Sequence, residues 1–231
     1  EKLDSMPGFT DGVAGSEFSQ RLRRQVERFG AELLQAQEVT GIHSHDNYHC
    51  VQTADGSEYS ARALLIATGS RYKRLNVAGE NDYIGAGVHF CATCDGPFYK
   101  GKRVVVIGGG NSATEESLLL TKFAEHVTIL VRSGEFKATQ VIREKVLEHP
   151  QIDVRWHTEV KAFEGEKSKL TQLVLRNNQT DSEEKLPIDG AFVFIGLIPN
   201  TVFLTGGKVL LDRWGFVVTG HNLLHQQERP A

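Results

Sequence analysis

The sequence has few of the features that mark several classes of protein. Its 231 residues hold 26 Lys and Arg against 29 Asp and Glu, a net charge of −3, so no basic excess favours a nucleic-acid partner. No apolar run approaches the roughly 20 residues of a membrane-spanning helix. No basic start followed by an apolar stretch indicates a secretory signal. We therefore expect a cytoplasmic protein that has neither a nucleic-acid nor a membrane partner.

Cysteine is scarce, and its placement is more informative than its number. There are three cysteines, of which Cys91 and Cys94 form a Cys-x-x-Cys pair followed by Asp95. In a reducing compartment such a pair is more often catalytic or metal-binding than structural. Structural zinc normally needs four ligands, and Cys50 stands far away, so a redox-active dithiol is favoured and no metal site is predicted. His89 has no evident partner in the sequence.

A glycine-rich turn follows the dithiol. Gly108, Gly110 and Ala113 fit the G-x-G-x-x-A form of the dinucleotide-binding fingerprint. The turn lies between a predicted apolar strand over 103–107 and a predicted helix over 112–123, which is the context that the fingerprint requires. A phosphate group is expected at the start of this helix, where free N–H groups favour an anion.

The choice of nucleotide depends on the end of the next predicted strand, about 20 residues past the last glycine. A site for NAD usually carries Asp or Glu there, but this chain has Val131 followed by Arg132, with Lys137 close behind. Cations favour the 2′-phosphate of NADPH. Glu135 lies nearby and argues the other way, and two solvated surface cations are the alternative interpretation.

The wider pattern predicts an α/β protein. Strands and helices alternate between 103 and 157, which indicates a parallel sheet. An amphipathic helix with apolar residues from Phe18 to Leu33 is predicted, and Gly30 interrupts its end as a C-cap. A β-meander follows, with strands over 39–44, 48–53 and 63–67 and turns at 46–47 and 55–56. Residues 161–164 and 170–176 are predicted to be antiparallel strands, joined by a polar turn over 177–184 to an apolar strand over 188–195.

Several segments together resemble the bacterial-type, low-molecular-weight thioredoxin reductases. The resemblance is carried by the runs Cys91–Tyr99 and Val105–Glu116, and Ile66–Gly69 and Phe194–Asn200 agree with it. It implies a two-domain, FAD- and NAD(P)-binding, Rossmann-like architecture of the three-layer ββα type, with an incomplete FAD domain. The implied domains are a partial FAD-binding domain over 1–77, an NADPH-binding domain with the dithiol over 78–203, and a return into the FAD domain over 204–231.

The resemblance also implies roles for individual residues. NADPH would reduce FAD, FAD would reduce a Cys91–Cys94 disulfide, and the dithiol would reduce a thioredoxin-like protein. Cys94 resembles the thiol that lies against the flavin, Cys91 the thiol that attacks the partner, and Asp95 the acid that assists. The family is homodimeric. The implied cofactor-binding residues are Gly108, Gly110, Asn111, Ser112, Ala113, Glu116, Arg132, Lys137 and Gly196, and, in an FAD-contacting turn, Thr68 and Gly69.

The chain departs from this family in ways that leave other functions open. The family's first glycine fingerprint for FAD would lie before residue 1 and its final Gly-Asp motif after residue 231, so a chain truncated at both ends is expected. The usual His-Arg-Arg of the NADPH site reads Val131-Arg132-Ser133 here. The alternatives are an FAD-free NADPH-binding fragment or inactive homologue, and a sibling reductase that uses another electron donor or a peroxiredoxin-type partner.

Overall fold

The computed structural model describes residues 2–3 and 6–220, which divide into two compact units. Within the described residues, the first unit runs to Ser70 and resumes at Pro199, and the second unit runs from Arg71 to Ile198. The sequence placed these boundaries at 77/78 and 203/204. Residues 221–231 of the last predicted segment lie outside the described residues.

Within the described residues, the first unit contains one α-helix, a 3-10 helix at Val202–Leu204 and two small antiparallel sheets. Its elements are β1 (Lys2–Leu3), β2 (Val13–Ala14), α1 (Gly15–Arg28), β3 (Val39–Ser44), β4 (His49–Thr53) and β5 (Glu58–Ala61). Strands β1 and β2 pair with each other, and β3, β4 and β5 form the meander. No side chain of α1 is buried, and its apolar residues Leu22 and Val26 are 46% and 38% exposed.

The prediction of the third meander strand over 63–67 is wrong, because the strand lies at Glu58–Ala61, directly after the turn at Asp55 and Gly56. Gly56 has a φ of +85°, and the Thr53 N–H donates to Ser57 O at 3.0 Å, which closes a tight turn. The Asp55 carboxylate accepts from the Ser57 N–H and the Thr53 hydroxyl, and these hydrogen bonds lower its pKa to about 2. Strand β5 therefore starts at Glu58, directly after the turn.

The second unit is built on a parallel sheet. Its elements are β6 (Ser70–Tyr72, which begins in the first unit), β7 (Val88–His89), α2 (Ala92–Asp95), β8 (Arg103–Ile107), α3 (Asn111–Leu120), β9 (His126–Leu130), α4 (Gln140–Leu147), β10 (Ile152–Arg155), β11 (Thr158–Glu166), β12 (Lys169–Asn177), β13 (Glu183–Pro187), β14 (Gly190–Val193) and β15 (Leu197–Pro199). Five strands in the order β10-β9-β8-β14-β7 are all parallel. Strands β11, β12 and β13 form an antiparallel sheet, and β6 pairs with β15.

The parallel sheet buries a different core on each face. On β8, Val104 and Val106 belong to the core that contains Leu120 of α3, whereas Val105 and Ile107 belong to the core formed with β11 and β12. The sheet is thus covered by helices on one side and by the antiparallel sheet on the other. This arrangement confirms the predicted α/β class with its Rossmann-like, three-layer ββα organisation. In the described residues, no helix is long and apolar enough to span a bilayer.

Candidate functional site

The predicted site residues of the second unit lie at one edge of its parallel sheet. Cys91 follows β7, Gly108 follows β8, Arg132 follows β9 and Gly196 follows β14. Because these strands are parallel, their carboxyl ends meet at the same edge. Ligands of open α/β sheets bind outside this edge.

The two cysteines of the pair form a disulfide across the first turn of α2. The Cα atoms of Cys91 and Cys94 are 5.4 Å apart, a separation typical of a disulfide. Cys91 is the N-cap of α2, and the Cys94 N–H donates to its sulfur at 3.2 Å. An amide donor aimed at sulfur stabilises a thiolate on Cys91 after reduction. Cys91 is half-buried and Cys94 is exposed, so a disulfide partner can approach the pair from solvent.

A buried histidine connects the dithiol segment to the core, and sequence reasoning missed it. His89 Nδ1 lies 3.2 Å from Asp95 Oδ2, and His89 Nε2 lies 2.6 Å from the Tyr99 hydroxyl. Burial lowers the pKa of the imidazole, although the Asp95 carboxylate opposes this shift. Burial also raises the pKa of Tyr99 to about 12, and the charges of Asp95 and Asp189 add to that shift. No motif in the sequence marks His89 as a partner of Asp95.

The glycine turn has the shape that a dinucleotide phosphate requires. Gly108 has a φ of +144°, and a Cβ atom there would lie 2.3 Å from the Phe194 carbonyl oxygen, so the turn packs tightly on the end of β14. A Cβ at Gly110 would meet nothing within 4 Å. Gly110 is also the N-cap of α3, whose first N–H groups face outward without helical partners. The open side of Gly110 therefore fits an approaching phosphate.

Two hydrogen bonds join the segment after β9 to this turn. The Lys137 N–H donates to Gly109 O at 2.7 Å, and the Asn111 side-chain oxygen accepts from the Thr139 N–H at 2.9 Å. Arg132 and Lys137 are both exposed. The structure thus places two solvent-facing cations on a segment that is anchored to the glycine turn, whereas the Asn111 side chain is occupied in holding that segment.

The remaining predicted residues of the second unit differ in what they can offer a ligand. Ser112 is exposed at the start of α3, and Ala113 is fully buried behind it. Glu116 Oε2 is buried without a hydrogen-bond partner in the described residues, and burial together with Glu115 raises the Glu116 pKa. The Gly196 carbonyl accepts from the Lys73 N–H, and its φ of +102° favours glycine.

Thr68 and Gly69 belong to the first unit, where Thr68 is joined to Asn200 by two hydrogen bonds. The Thr68 hydroxyl donates to Asn200 O at 2.7 Å, and the Asn200 side chain donates back to Thr68 O at 3.0 Å. A Cβ on Gly69 would meet nothing within 4 Å, so this turn has an open backbone face that fits a ligand. The Thr68 hydroxyl is already engaged as a donor.

Across residues 2–3 and 6–220, no three His, Cys, Asp or Glu side chains are grouped to hold a metal ion.

Comparison with known proteins agrees with this geometry. Residues 5–228 match the family model of the pyridine nucleotide-disulphide oxidoreductases. The chain is 36% identical over 219 residues to a thioredoxin reductase of Treponema pallidum, covering 95% of this chain and 70% of that protein. A bifunctional thioredoxin reductase/thioredoxin of Mycobacterium leprae is 38% identical over 217 residues, covering 94% of this chain and 47% of that protein.

A solved structure gives the same result. The thioredoxin reductase from Streptococcus pyogenes superimposes with a TM-score of 0.81 at 30% sequence identity, covering 96% of this chain and 71% of that one. The chain thus spans about 70% of the length of the Treponema and Streptococcus proteins. It belongs to the pyridine nucleotide-disulphide oxidoreductase family and, within that family, to the bacterial-type thioredoxin reductases.

Proposed function

We propose that this chain carries the nucleotide-binding and dithiol part of a thioredoxin-disulfide reductase. The observation that carries the proposal is the Cys91–Cys94 disulfide at the same sheet edge as the glycine turn. When bound, NADPH and FAD would supply the two electrons that open this disulfide. A thioredoxin-like protein fits as the recipient, because a relative is named as a fusion of reductase and thioredoxin.

The residues of the chain then perform dithiol–disulfide exchange. The Cys91 thiolate attacks one sulfur of the partner's disulfide, a Cys91–partner bond forms, and the partner's own disulfide breaks. The departing thiolate takes a proton from Asp95. The Asp95 carboxylate left by this step takes the proton of the Cys94 thiol. The resulting Cys94 thiolate attacks the Cys91 sulfur and restores the Cys91–Cys94 disulfide, and Asp95 passes the proton to the second partner thiolate as it leaves. The chain is oxidised by two electrons, and the partner gains two thiols.

Each nucleotide would be held by a separate turn. In the second unit, the Gly108–Ala113 turn would hold the pyrophosphate of NADPH, and Arg132 and Lys137 would face its 2′-phosphate. Glu116 has a free acceptor oxygen for a donor group of the nucleotide. In the first unit, the open face of Gly69 would contact FAD. We also propose that the two units correspond to the FAD and NADPH domains and that the protein is a homodimer.

The decisive experiment measures NADPH-dependent reduction of oxidised thioredoxin by the purified protein, together with its visible absorption. Bound flavin and NADPH-dependent turnover are the expected results. A colourless protein that binds NADPH and does not reduce thioredoxin would instead support the alternative of an FAD-free nucleotide-binding fragment. A clear preference for NADH would favour the sibling reductase that uses another donor.

Arg132→Ala tests the choice of nucleotide. Removal of a cation that faces the 2′-phosphate should raise the Kd for NADPH by about 10-fold, or about 1.4 kcal/mol, and should change the Kd for NADH little. Both constants can be measured by equilibrium titration without turnover. Lys145→Ala is a suitable control, because Lys145 is exposed in the last turn of α4, which leads to the opposite edge of the sheet. Equal weakening of both nucleotides in Arg132→Ala would contradict the 2′-phosphate role.

A further inference from the structure

Three side chains form a continuous hydrogen-bonded chain from the core to the dithiol segment. Tyr99 lies at the buried end, His89 lies between, and Asp95 follows Cys94 at the partly exposed end. His89 is 8% exposed and Tyr99 is 7% exposed. Both ring nitrogens of the imidazole therefore have a hydrogen-bonding partner, and the ring is shielded from water.

The two partners of His89 together decide which of its nitrogens carries hydrogen. An unprotonated carboxyl oxygen such as Asp95 Oδ2 can only accept, so it pairs with an N–H at Nδ1. The Tyr99 hydroxyl stays protonated at neutral pH, because burial raises its pKa to about 12, and it can then donate to His89 Nε2. An imidazole that accepts at Nε2 carries its hydrogen on Nδ1 when neutral. Burial favours this neutral form. The Nδ1–H group then points at Asp95 Oδ2 and donates to it.

The surroundings fix the ring and leave Asp95 as the carboxyl group in contact with it. The His89 ring lies 5.3 Å from the Phe192 ring and 5.3 Å from the Tyr99 ring, measured between centroids. The nearby charged groups act on Tyr99: Asp189 raises its pKa, and the Lys102 ammonium lies 5.5 Å from its ring centroid. Strand β7, which carries His89, pairs with β14 at Phe192. The imidazole is thus held by packing on one side and by two hydrogen bonds at its ends.

We propose that His89, held between Tyr99 and Asp95, is a positioning residue that aims the Asp95 carboxyl group at the thiolate leaving the partner's disulfide. The proposal rests on the proposed function, in which Asp95 donates that proton. Asp95 has one oxygen tied to His89, so its carboxyl group is held in one orientation. A carboxyl group without this tie would sample other rotamers and transfer its proton less often in the productive geometry.

The effect of the His89–Asp95 hydrogen bond on the exchange rate should depend on the basicity of the leaving thiolate. A disulfide that releases an aliphatic thiolate, which is strongly basic, needs the proton from Asp95 as its bond breaks. A disulfide that releases an aromatic thiolate of low pKa leaves without it. Loss of the His89–Asp95 hydrogen bond should therefore slow exchange with the first kind and spare the second. A change in the exposure or the pKa of the thiols would alter both rates together.

The experiment uses the full chain, reduced with dithiothreitol and freed of excess reductant, so that neither NADPH nor FAD is needed. Hydroxyethyl disulfide is the aliphatic probe and 5,5′-dithiobis(2-nitrobenzoate) is the aromatic probe. Re-formation of the Cys91–Cys94 disulfide is followed by acid quenching, alkylation and mass measurement. His89→Gln, whose amide can still reach Tyr99 but not Asp95, should lose about 10-fold in rate with the aliphatic probe only.

Three further variants separate positioning from packing. His89→Asn places an amide donor near the former Nδ1 position and should keep most of the aliphatic rate. Tyr99→Phe removes the hydrogen-bond partner of His89 Nε2, which helps to hold the ring, and should slow the aliphatic reaction alone, by less than His89→Gln does. His126→Gln is the matched control, because His126 makes a comparable 3.0 Å contact with Asp153 outside the site, and it should change neither rate.

The outcomes distinguish this inference from the function on which it rests. Unchanged rates in His89→Gln, or equal losses with both probes, would overturn the positioning role while the dithiol function stands. If His89→Gln does not fold, Tyr99→Phe provides the test. Wild-type rates of Tyr99→Phe with both probes would then overturn the positioning role. A wild-type dithiol that reacts with neither probe would overturn the proposed function and the inference together.

Discussion

Cys91→Ser is expected to abolish dithiol–disulfide exchange, whereas Cys94→Ser is expected to stop the reaction halfway. The sulfur of Cys91 receives the Cys94 N–H, so the reduced chain has a backbone donor ready to stabilise a thiolate at this position. A serine hydroxyl is not ionised at neutral pH and does not attack a disulfide. The rate of thioredoxin reduction should therefore fall by on the order of 1000-fold or more in Cys91→Ser.

Cys94→Ser should retain the attack and lose the resolving step. Reduced Cys94→Ser mixed with oxidised thioredoxin should accumulate a covalent adduct, because no second thiolate is present to break the Cys91–partner bond. Non-reducing electrophoresis and intact mass would detect the adduct, and dithiothreitol should dissolve it. Cys50→Ser is the control, because Cys50 lies in β4 of the first unit, and it should behave like the wild type.

The opposite pattern would reverse the assignment of the two thiols. Cys94 is the more exposed of the pair, so exposure alone would favour it as the attacking residue. An adduct formed by Cys91→Ser, and not by Cys94→Ser, would show that exposure outweighs the amide hydrogen bond to Cys91. Adducts in neither variant would contradict a thioredoxin-like partner.

The parts of the fold that were predictable from sequence are those specified by local pattern. Strand β8 lies at 103–107 as predicted, because its run of valines is buried on both faces of the sheet. The Gly108–Ala113 turn follows it because Gly108 takes a φ of +144°, a backbone conformation that favours glycine. Strand β3 likewise lies at 39–44 as predicted. These features depend on residues that are neighbours in the chain.

The parts that were missed depend on contacts between distant residues or on exposed strands. Strand β13 (Glu183–Pro187) falls partly in the predicted polar turn over 177–184, because it lies at an edge of its sheet and is mostly exposed. The apolar spacing runs on to Leu33, but the helix ends at Arg28, and Gly30, the predicted C-cap, takes a φ of +77° two residues later. The pairing of His89 with Asp95 and Tyr99 arises only when β7 and the segment after α2 fold together.

Gly110→Ala is expected to weaken NADPH binding strongly while leaving the fold intact. Gly108→Ala, in contrast, is expected to destabilise the fold. Gly110 has a φ of −91° that any residue can adopt, and its missing Cβ would meet only open space. Alanine is a poorer N-cap than glycine, which should cost less than about 1 kcal/mol of unfolding free energy. The added methyl group would occupy the space that the pyrophosphate needs, so the Kd for NADPH should rise by about 10- to 100-fold.

Gly108→Ala provides the matched comparison, because its methyl group would point into the protein. A Cβ there would lie 2.3 Å from Phe194 O and 3.0 Å from Ala113 Cβ, and the φ of +144° is strained for alanine. The unfolding free energy should fall by about 3–5 kcal/mol, because neither the β14 backbone nor α3 can move away without loosening the sheet. Chemical denaturation gives both stabilities, and equilibrium dialysis gives both NADPH affinities. Wild-type affinity in a well-folded Gly110→Ala protein would show that phosphate does not bind at this turn.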